Sequence, residues 1–507
     1  MKPKKLSFFK QYLFETSWGG LLFFAIFLIL AGNLFRVFHN CFNNYDLGIY
    51  HQAILELGKG DLNPYLTVRN IKIFNDHFDP VIFLAAFFVR LFGNAPEGTI
   101  IFEFLWYLGF LFLLAISIYK NNLVEKNWKI KTILLIIWMA VYPKGLLSGL
   151  IYPVHPTVWS IVPLFFICKY VKEQNFKGLI LSSIALCFFK EIFPPALIIF
   201  SFYYALRKNR PYFFSLFSIG IMGTFFCFYL RPLWFGEIYP YNQIIFSADS
   251  FGQWFSKTFL KRSHTGIFKL LYPFIIPFYL LYKEEIKKEG FKHFSIPLLF
   301  LILPLLGLHF IAGKFFFHYK ALIVGPLLAI LSLSSIPQII VKNKKILFFV
   351  CVLFFANGFS TIYKHQLDIV VRTSEDFIGT NYMERWLGTY ERCSLTKGNR
   401  KTTEKIQKIL DQKAQGKKIL SSGGIIPRII VPGRRVYHLG GHSKVQPYYD
   451  FILLGVNDSE DGYPMTREEI IKIKSSCGKF ARKIHMDNNY YYLASGRFPS
   501  TCFKKGI

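Results

Sequence analysis

Acidic residues are scarce in this 507-residue chain, 30 against 60 lysines and arginines, for a formal net charge of +30. Long polar stretches are scarce too before residue 365. Apolar runs instead recur roughly every 20–30 residues from Trp18 to Tyr363, the spacing of helices that cross a bilayer core. The strict alternation of a membrane barrel is missing, which leaves helices as the spanning elements. Most basic residues of the first 365 fall in short loops between apolar runs, as in cytoplasmic anchoring. The excess charge therefore excludes nucleic acid as the expected partner and makes the lipid bilayer that partner. The eight cysteines lack metal-ligand spacing. Cys168, Cys187, Cys227 and Cys351 sit in apolar segments as small core residues. Cys41, Cys393, Cys477 and Cys502 lie in polar segments and can pair on an oxidising side, with connectivity open. No small-residue cleavage site follows the basic N-terminus, so the first apolar run is expected to be a retained span. No internal repeat is visible.

Charge parity orders what is there. Lys2, Lys4, Lys5 and Lys10 precede span 1, about Trp18–Phe38, and place the N-terminus in the cytoplasm. Val81–Gly93 is too short to cross and is expected at the interface, so Gly98–Tyr119 is span 2 and returns to Lys120, Lys126, Lys129 and Lys131. Span 3 is about Thr132–Ile151 and span 4 about Thr157–Tyr170. Gly178–Leu206, bracketed by basic clusters, must go in and come back in two short limbs. Its turn is expected near Lys190-Glu191, with the helix broken at Pro194-Pro195. Tyr212–Leu230, Ile267–Tyr282, Phe294–Ala312, Ala321–Val341 and Ile346–Tyr363 complete about eleven spans, with an aromatic outer loop at Arg231–Gly266. The expected organisation is a transmembrane domain, 1–363, whose outer loop 39–97 carries interfacial helices, followed by a small extracytoplasmic α/β domain, 364–507. In the latter, strands are expected at Lys417–Ser421, Arg435–Leu439 and Tyr449–Val456 and helices at Thr402–Ala414 and Thr466–Ser475. Phe480–His485 and Tyr490–Ala494 form a closing hairpin.

The longest polar interval of the first part is Asn43–Pro80, which holds Asp46, Asp76, His77 and Asp79. Parity puts it on the same face as His155, as Lys190 with Glu191, and as Lys314, His318 and Lys320. Ionisable residues beside membrane cavities are functional candidates, and convergence of separated clusters is stronger than any one of them. Each also has a structural reading. Asp46 fits a helix N-cap, Asp76 or Asp79 a cap of the interfacial helix, with a cap the preferred role for Asp79. His155 fits a turn residue, Lys190-Glu191 a buried ion pair, and His318-Tyr319 an interfacial anchor.

The run Tyr45-Asp46-Leu47-Gly48-Ile49-Tyr50-His51-Gln52 resembles the "FDLGIFDQ" motif of a bacterial and archaeal family of predicted multi-pass membrane proteins of unknown function. Asp76-His77-Phe78, His155-Pro156, Lys190-Glu191 and His318-Tyr319 resemble it as well, as do Pro427-Arg428, Arg435-Val436-Tyr437 and Tyr449-Asp450 in the tail. That family is grouped with the GT-C glycosyltransferases, which use polyprenyl-phosphate-linked sugars. The resemblance implies a GT-C-like polytopic helical fold in the bacterial inner membrane and matches Asp46 to the GT-C loop carboxylate. One departure stands out: the family's acidic residues flanking the outer-turn histidine are here Pro153 and Thr157.

The expected function is thus sugar transfer from a polyprenyl-phosphate donor to an extracytoplasmic glycan, lipid or protein acceptor. Asp46 is the candidate base or metal ligand, with Asp76 and His77 positioning the acceptor or helping to hold a divalent cation, Mg or Mn. Lys190, His318 and Lys320 are candidates for stabilising the departing phosphate, with Glu191 orienting Lys190 and His155 lining the substrate site. The alternatives are a catalytically inactive GT-C-like binding or assembly protein, which the changed acids around His155 favour, and a transporter or lipid flippase.

Overall fold

A computed structural model describes residues 3–38, 44–151, 154–235, 263–311, 318–362, 397–439, 445–456, 467–488 and 490–503. The fold is mostly helical, with a small mixed sheet near the C-terminus. Helix α1, Pro3–Phe38, carries the first apolar run and exposes Leu21, Phe23, Phe24 and Phe27 along one side while burying Leu22, Leu28 and Ile29 on another. An apolar outer face of this kind is suited to lipid, since lipid tails solvate it as well as protein does. Helix α5, Pro96–Lys120, starts with Pro96 in its first turn, where the missing N–H costs nothing. Among the described residues, four helical stretches are long and apolar enough to cross a membrane: Ser17–Val37, Pro96–Lys120, Arg210–Phe235 and Gly266–Lys292. Counting two bent pairs as single spans gives up to six.

The shorter count has a structural cause. Span 3 is expected as one helix but is two, α6 (Lys129–Val141) and α7 (Lys144–Ile151), bent by 57° at Tyr142-Pro143. Span 10 is likewise two helices, Ala321–Leu333 and Ile336–Lys342, bent by 72°. Span 4 is divided into α8, Pro156–Trp159, and α9, Ile161–Lys172. The two limbs expected within Gly178–Leu206 are α10, Phe176–Cys187, and α11, Phe193–Leu206, and the turn between them does contain Lys190-Glu191. Pro194-Pro195 start α11 and do not break it, because proline is tolerated in a first turn. The outer loop beyond Phe235, with Tyr239, Tyr241 and Trp254, and also Lys314, Cys41 and Cys393, lie outside the described residues.

The polar interval folds against the helices. Helix α2 covers Asn44–Leu57. A two-residue ladder joins β1, Tyr65–Leu66, to β2, Ile71–Lys72. One turn of helix, α3 (Ile73–Asp76), follows, and α4, Ile82–Arg90, is too short to span. The C-terminal sheet has the order β4-β3-β5-β7-β6, from strands Arg435–His438 (β4), Lys418–Ser421 (β3), Tyr448–Gly455 (β5), Tyr491–Pro499 (β7) and Ala481–Asp487 (β6). β3 pairs parallel with β4 and β5, while β7 pairs antiparallel with β5 and β6. Helices Lys397–Lys413 and Arg467–Gly478 accompany the sheet, and Cys477 is disulfide-bonded to Cys502. Cys168, Cys187, Cys227 and Cys351 are free thiols in the helical part.

This sheet unit docks on the outer loop. A Cβ placed on Gly48 would meet Ile426 Cγ2 at 2.8 Å, so glycine lets α2 approach the helical turn Ile426–Ile429. Arg428 pairs with Glu97 and donates from Nε to the Val37 carbonyl at 3.3 Å. The backbone N–H of Val436 donates to Thr67 Oγ1 at 3.1 Å, and Gln52 Nε2 donates to the same hydroxyl at 2.9 Å.

Gly358 packs against the bend between α6 and α7. A Cβ there would lie 1.7 Å from the Tyr142 carbonyl oxygen, a contact no rotamer can relieve because the obstacle is backbone. Overpacking of this kind typically costs about 1–3 kcal/mol. Gly358→Ala should therefore lower the thermal midpoint of the detergent-solubilised protein by several degrees, and an unchanged midpoint would count against this packing.

Candidate functional site

Asp46 sits in the first turn of α2, and Tyr50 lies one turn later on the same face. The Asp46 carboxylate oxygen is 3.5 Å from His155 Nε2. The Tyr50 ring meets the His155 ring edge-on at 6.1 Å, and its hydroxyl donates to Asp79 Oδ2 at 3.0 Å. Asp46 is 45% exposed, yet it lies in surroundings dense enough for burial to weigh on its ionisation. Burial acts to raise its pKa. The hydrogen bond and charge of His155, with Arg69 and His77 beyond, overcome that and hold it below the ordinary carboxylate range.

His155 is placed by three helices. Its backbone N–H donates to Glu103 Oε1 at 3.1 Å, and Trp159 Nε1 donates to the same oxygen at 3.2 Å. On the other side, Asn33 Nδ2 donates to the Leu150 carbonyl and Arg36 to the Ile151 carbonyl, so α1 caps the C-terminal end of α7 just before the His155 turn. The acids expected beside the histidine in sequence are absent at Thr157, but α5 supplies Glu103 through space. Glu103 grips the backbone of His155 and leaves its ring to Asp46.

The second half of the site is the Asp76–Pro80 segment lying on the α10–α11 turn. Glu191 Oε1 is 3.0 Å from His77 Nδ1, and Glu191 Oε2 accepts from the Phe78 backbone N–H at 2.9 Å. The Val81 N–H donates to the Phe188 carbonyl at 3.1 Å. Beside its expected role toward the adjoining Lys190, Glu191 thus also holds the loop through both carboxylate oxygens. Lys190 is buried, and its ammonium lies over the Tyr319 ring at 5.0 Å. The turn His318–Lys320 packs against α7 and α8; the His318 side chain lies outside the described residues. Lys320 is near Lys144, and burial together with that second cation pushes its pKa down to about 8.

The helix-cap roles are corrected as well. Asp76 accepts from Arg69 Nε at 3.1 Å, Asp79 accepts from Tyr50, and the first residue flanking α4, Val81, makes no side-chain cap. Asp46 lies inside the first turn, not at the N-cap position. Asp79 is 1% exposed, and burial, partly offset by His77 and Lys190, pushes its pKa up to about 7. His51 is structural. Its Nδ1 meets Thr99 Oγ1 at 3.2 Å, and burial, with Arg428 nearby, depresses its pKa to about 3, so the ring is neutral.

The structure therefore gathers Asp46, Asp76, His77, His155, Lys190 and Glu191 into one neighbourhood, with Lys320 on the adjoining turn. Sequence reading missed Tyr50, Glu103, Lys144 and Tyr319 as members. Tyr50 carried a signal, one helical turn from Asp46, and Tyr319 stood in the His318-Tyr319 pair; Glu103 and Lys144 join through space. Among the described residues, no three histidine, cysteine, aspartate or glutamate groups come together to hold a metal ion. Asp46 lies beside His155 and Asp76 beside Arg69, so among the described residues the two candidate ligands are engaged separately.

The family model described as "Predicted membrane protein (DUF2079)" matches residues 39–392. No curated protein and no solved structure matches the chain.

Asp79 predicts a pH dependence. An unfolded aspartate loses its proton near about pH 4, whereas the folded one keeps it to about 7. Between these values the folded state binds the extra proton, so stability falls as pH rises through that window. Thermal melts at intervals across it should show that fall in the parent protein and a flatter profile in Asp79→Asn. Equal slopes in both would remove Asp79 as the source.

Proposed function

The chain belongs to the DUF2079 family of predicted membrane proteins, and from that premise we propose that it is a membrane glycosyltransferase using a polyprenyl-phosphate sugar. The observation that carries the reading is the accessible Asp46 carboxylate, held ionised beside His155 in the same neighbourhood as the buried Lys190 ammonium. A base and a cation in one neighbourhood suit a displacement at a sugar carbon. The acceptor oxygen would bond to the anomeric carbon as the bond to the phosphate oxygen breaks. Asp46 would take the acceptor proton, and Lys190 and Lys320 would face the charge left on the polyprenyl phosphate. A single displacement inverts the anomeric centre. His77, fixed by Glu191, and Arg69, paired with Asp76, would border the acceptor side.

The reading takes the chain as a GT-C-like protein of about eleven crossings in the inner membrane, with α2 and the C-terminal unit outside the cytoplasm. Two observations support that orientation. Basic residues follow the far ends of α5 and α9, the pattern of cytoplasmic loops. The Cys477–Cys502 disulfide belongs to a unit docked on the α2 side, and disulfides persist in oxidising compartments. The acceptor would be a glycan, lipid or protein of that compartment. No step is assigned to a metal.

The two bent helix pairs favour a second reading, a carrier, because broken helices are what transporters use around a substrate. Labelled-sugar transfer in membranes separates the two. Asp46→Asn should lower transfer by about 10²–10⁴-fold. Full transfer in that variant would remove Asp46 from the chemistry, and flux in proteoliposomes without covalent product would favour the carrier.

A further inference from the structure

A cavity of about 640 Å³ opens at the far ends of the helices that carry the candidate site. Helix α9 starts beside Trp159 and ends at Lys172; α11 starts just after Lys190-Glu191 and ends beside Arg207. At about 1.5 Å per residue these helices separate the cavity from the site by roughly 20 Å. Lys172, Arg207 and Lys292 line it, together with Tyr203, Tyr204 and Tyr212. Its volume falls in the range of small-molecule sites.

The charge in this cavity is only partly used by the fold. Glu285 is committed: Oε1 accepts from the Ser335 N–H at 2.7 Å and the Ser335 hydroxyl at 2.6 Å, and Oε2 is 3.1 Å from His293 Nε2. His293 Nδ1 accepts from the Ser295 N–H at 3.3 Å, which leaves Nε2 as the donor to Glu285. Lys172 donates to the Leu333 carbonyl and lies over the Phe294 ring. Arg207 and Lys292 make no ion pair among the described residues, and both are exposed at the mouth. Glu289 is the only lining carboxylate besides Glu285. Tyr203 and Tyr212 have committed their hydroxyls to the carbonyls of Phe291 and Gln174, so they contribute ring surface. Three cations, one uncommitted carboxylate and an aromatic wall suit a phosphate group on a carbon skeleton, which an arginine fork can grip in two places.

We propose that this cavity binds a phosphate ester, carried either on an anionic lipid headgroup or on a soluble metabolite, at a position separate from the candidate site. Basic pockets between membrane helices take lipid headgroups in this way. The test uses the full chain in nanodiscs, as parent and as the double variant Arg207→Ala/Lys292→Ala, whose exposed positions spare the core. In one arm, native mass spectrometry counts phosphatidylglycerol retained from mixed phosphatidylglycerol–phosphatidylcholine discs. In the other, glycerol 3-phosphate is titrated against the thermal midpoint in phosphatidylcholine discs. Lipid retention reduced roughly tenfold in the double variant assigns the headgroup, since two charge-assisted contacts are lost. A midpoint shift by glycerol 3-phosphate that only the parent shows assigns the soluble ester. Absence of both ligands from the parent, or equal binding by parent and variant, overturns the proposal. Asp46→Asn should bind like the parent, so this result stands apart from any loss of sugar transfer.

Discussion

The Glu191 carboxylate is the contact on which the candidate site depends. It is buried at the turn between two short helices, where an unsatisfied charge would cost several kcal/mol. Its two oxygens are satisfied by consecutive residues of a distant loop, the His77 ring and the Phe78 N–H. That pairing leaves the loop little freedom. With the Val81–Phe188 backbone bond beside it, Asp79 comes to rest under the Tyr50 hydroxyl, and Tyr50 in turn supports His155 next to Asp46. The residue next to Lys190 thus also organises the loop above it.

A second constraint acts from outside. The unit around the C-terminal sheet presses the turn Ile426–Ile429 onto α2 at Gly48, and Arg428 reaches both Glu97 and the end of α1. Thr67 shares its hydroxyl between Gln52 of α2 and the backbone of β4. These contacts tie the helix carrying Asp46 to a part of the chain beyond residue 392, where the family match ends. The membrane helices hold one side of the site and the docked sheet unit the other.

Helices α9 and α11 link two chemically different ends. At one end are carboxylates, two histidines and Lys190; at the other are Lys172 and Arg207 with exposed basic residues and tyrosines. The short helices α10 and α11 bring the turn between them onto the Asp76–Pro80 loop.

The amino-acid order by itself determined the membrane class, the apolar first helix, the turn at Lys190-Glu191, the short helix after Pro80 and the strands of the C-terminal sheet. All of these are local: hydrophobic length, the period of a strand and the punctuation of proline and charge act within a few residues. The order also brought forward Asp46, His77, His155 and Lys190 as buried-side polar groups. It could not assign their partners. His155 and Glu103 are 52 residues apart and His77 and Glu191 are 114, and no local pattern encodes a contact across such distances. The bends at Tyr142-Pro143 and before Ile336 do carry local punctuation, Pro143-Lys144 and Ser334-Ser335 before Pro337, which the hydrophobic length of each run outweighed in the reading of a single span. Tertiary packing alone decided that Asp79 is buried beneath Tyr50, that Glu191 holds a loop, and that Glu103 stands in where the sequence beside His155 has no acid. Burial and partner choice are properties of the assembled space, not of the order of residues.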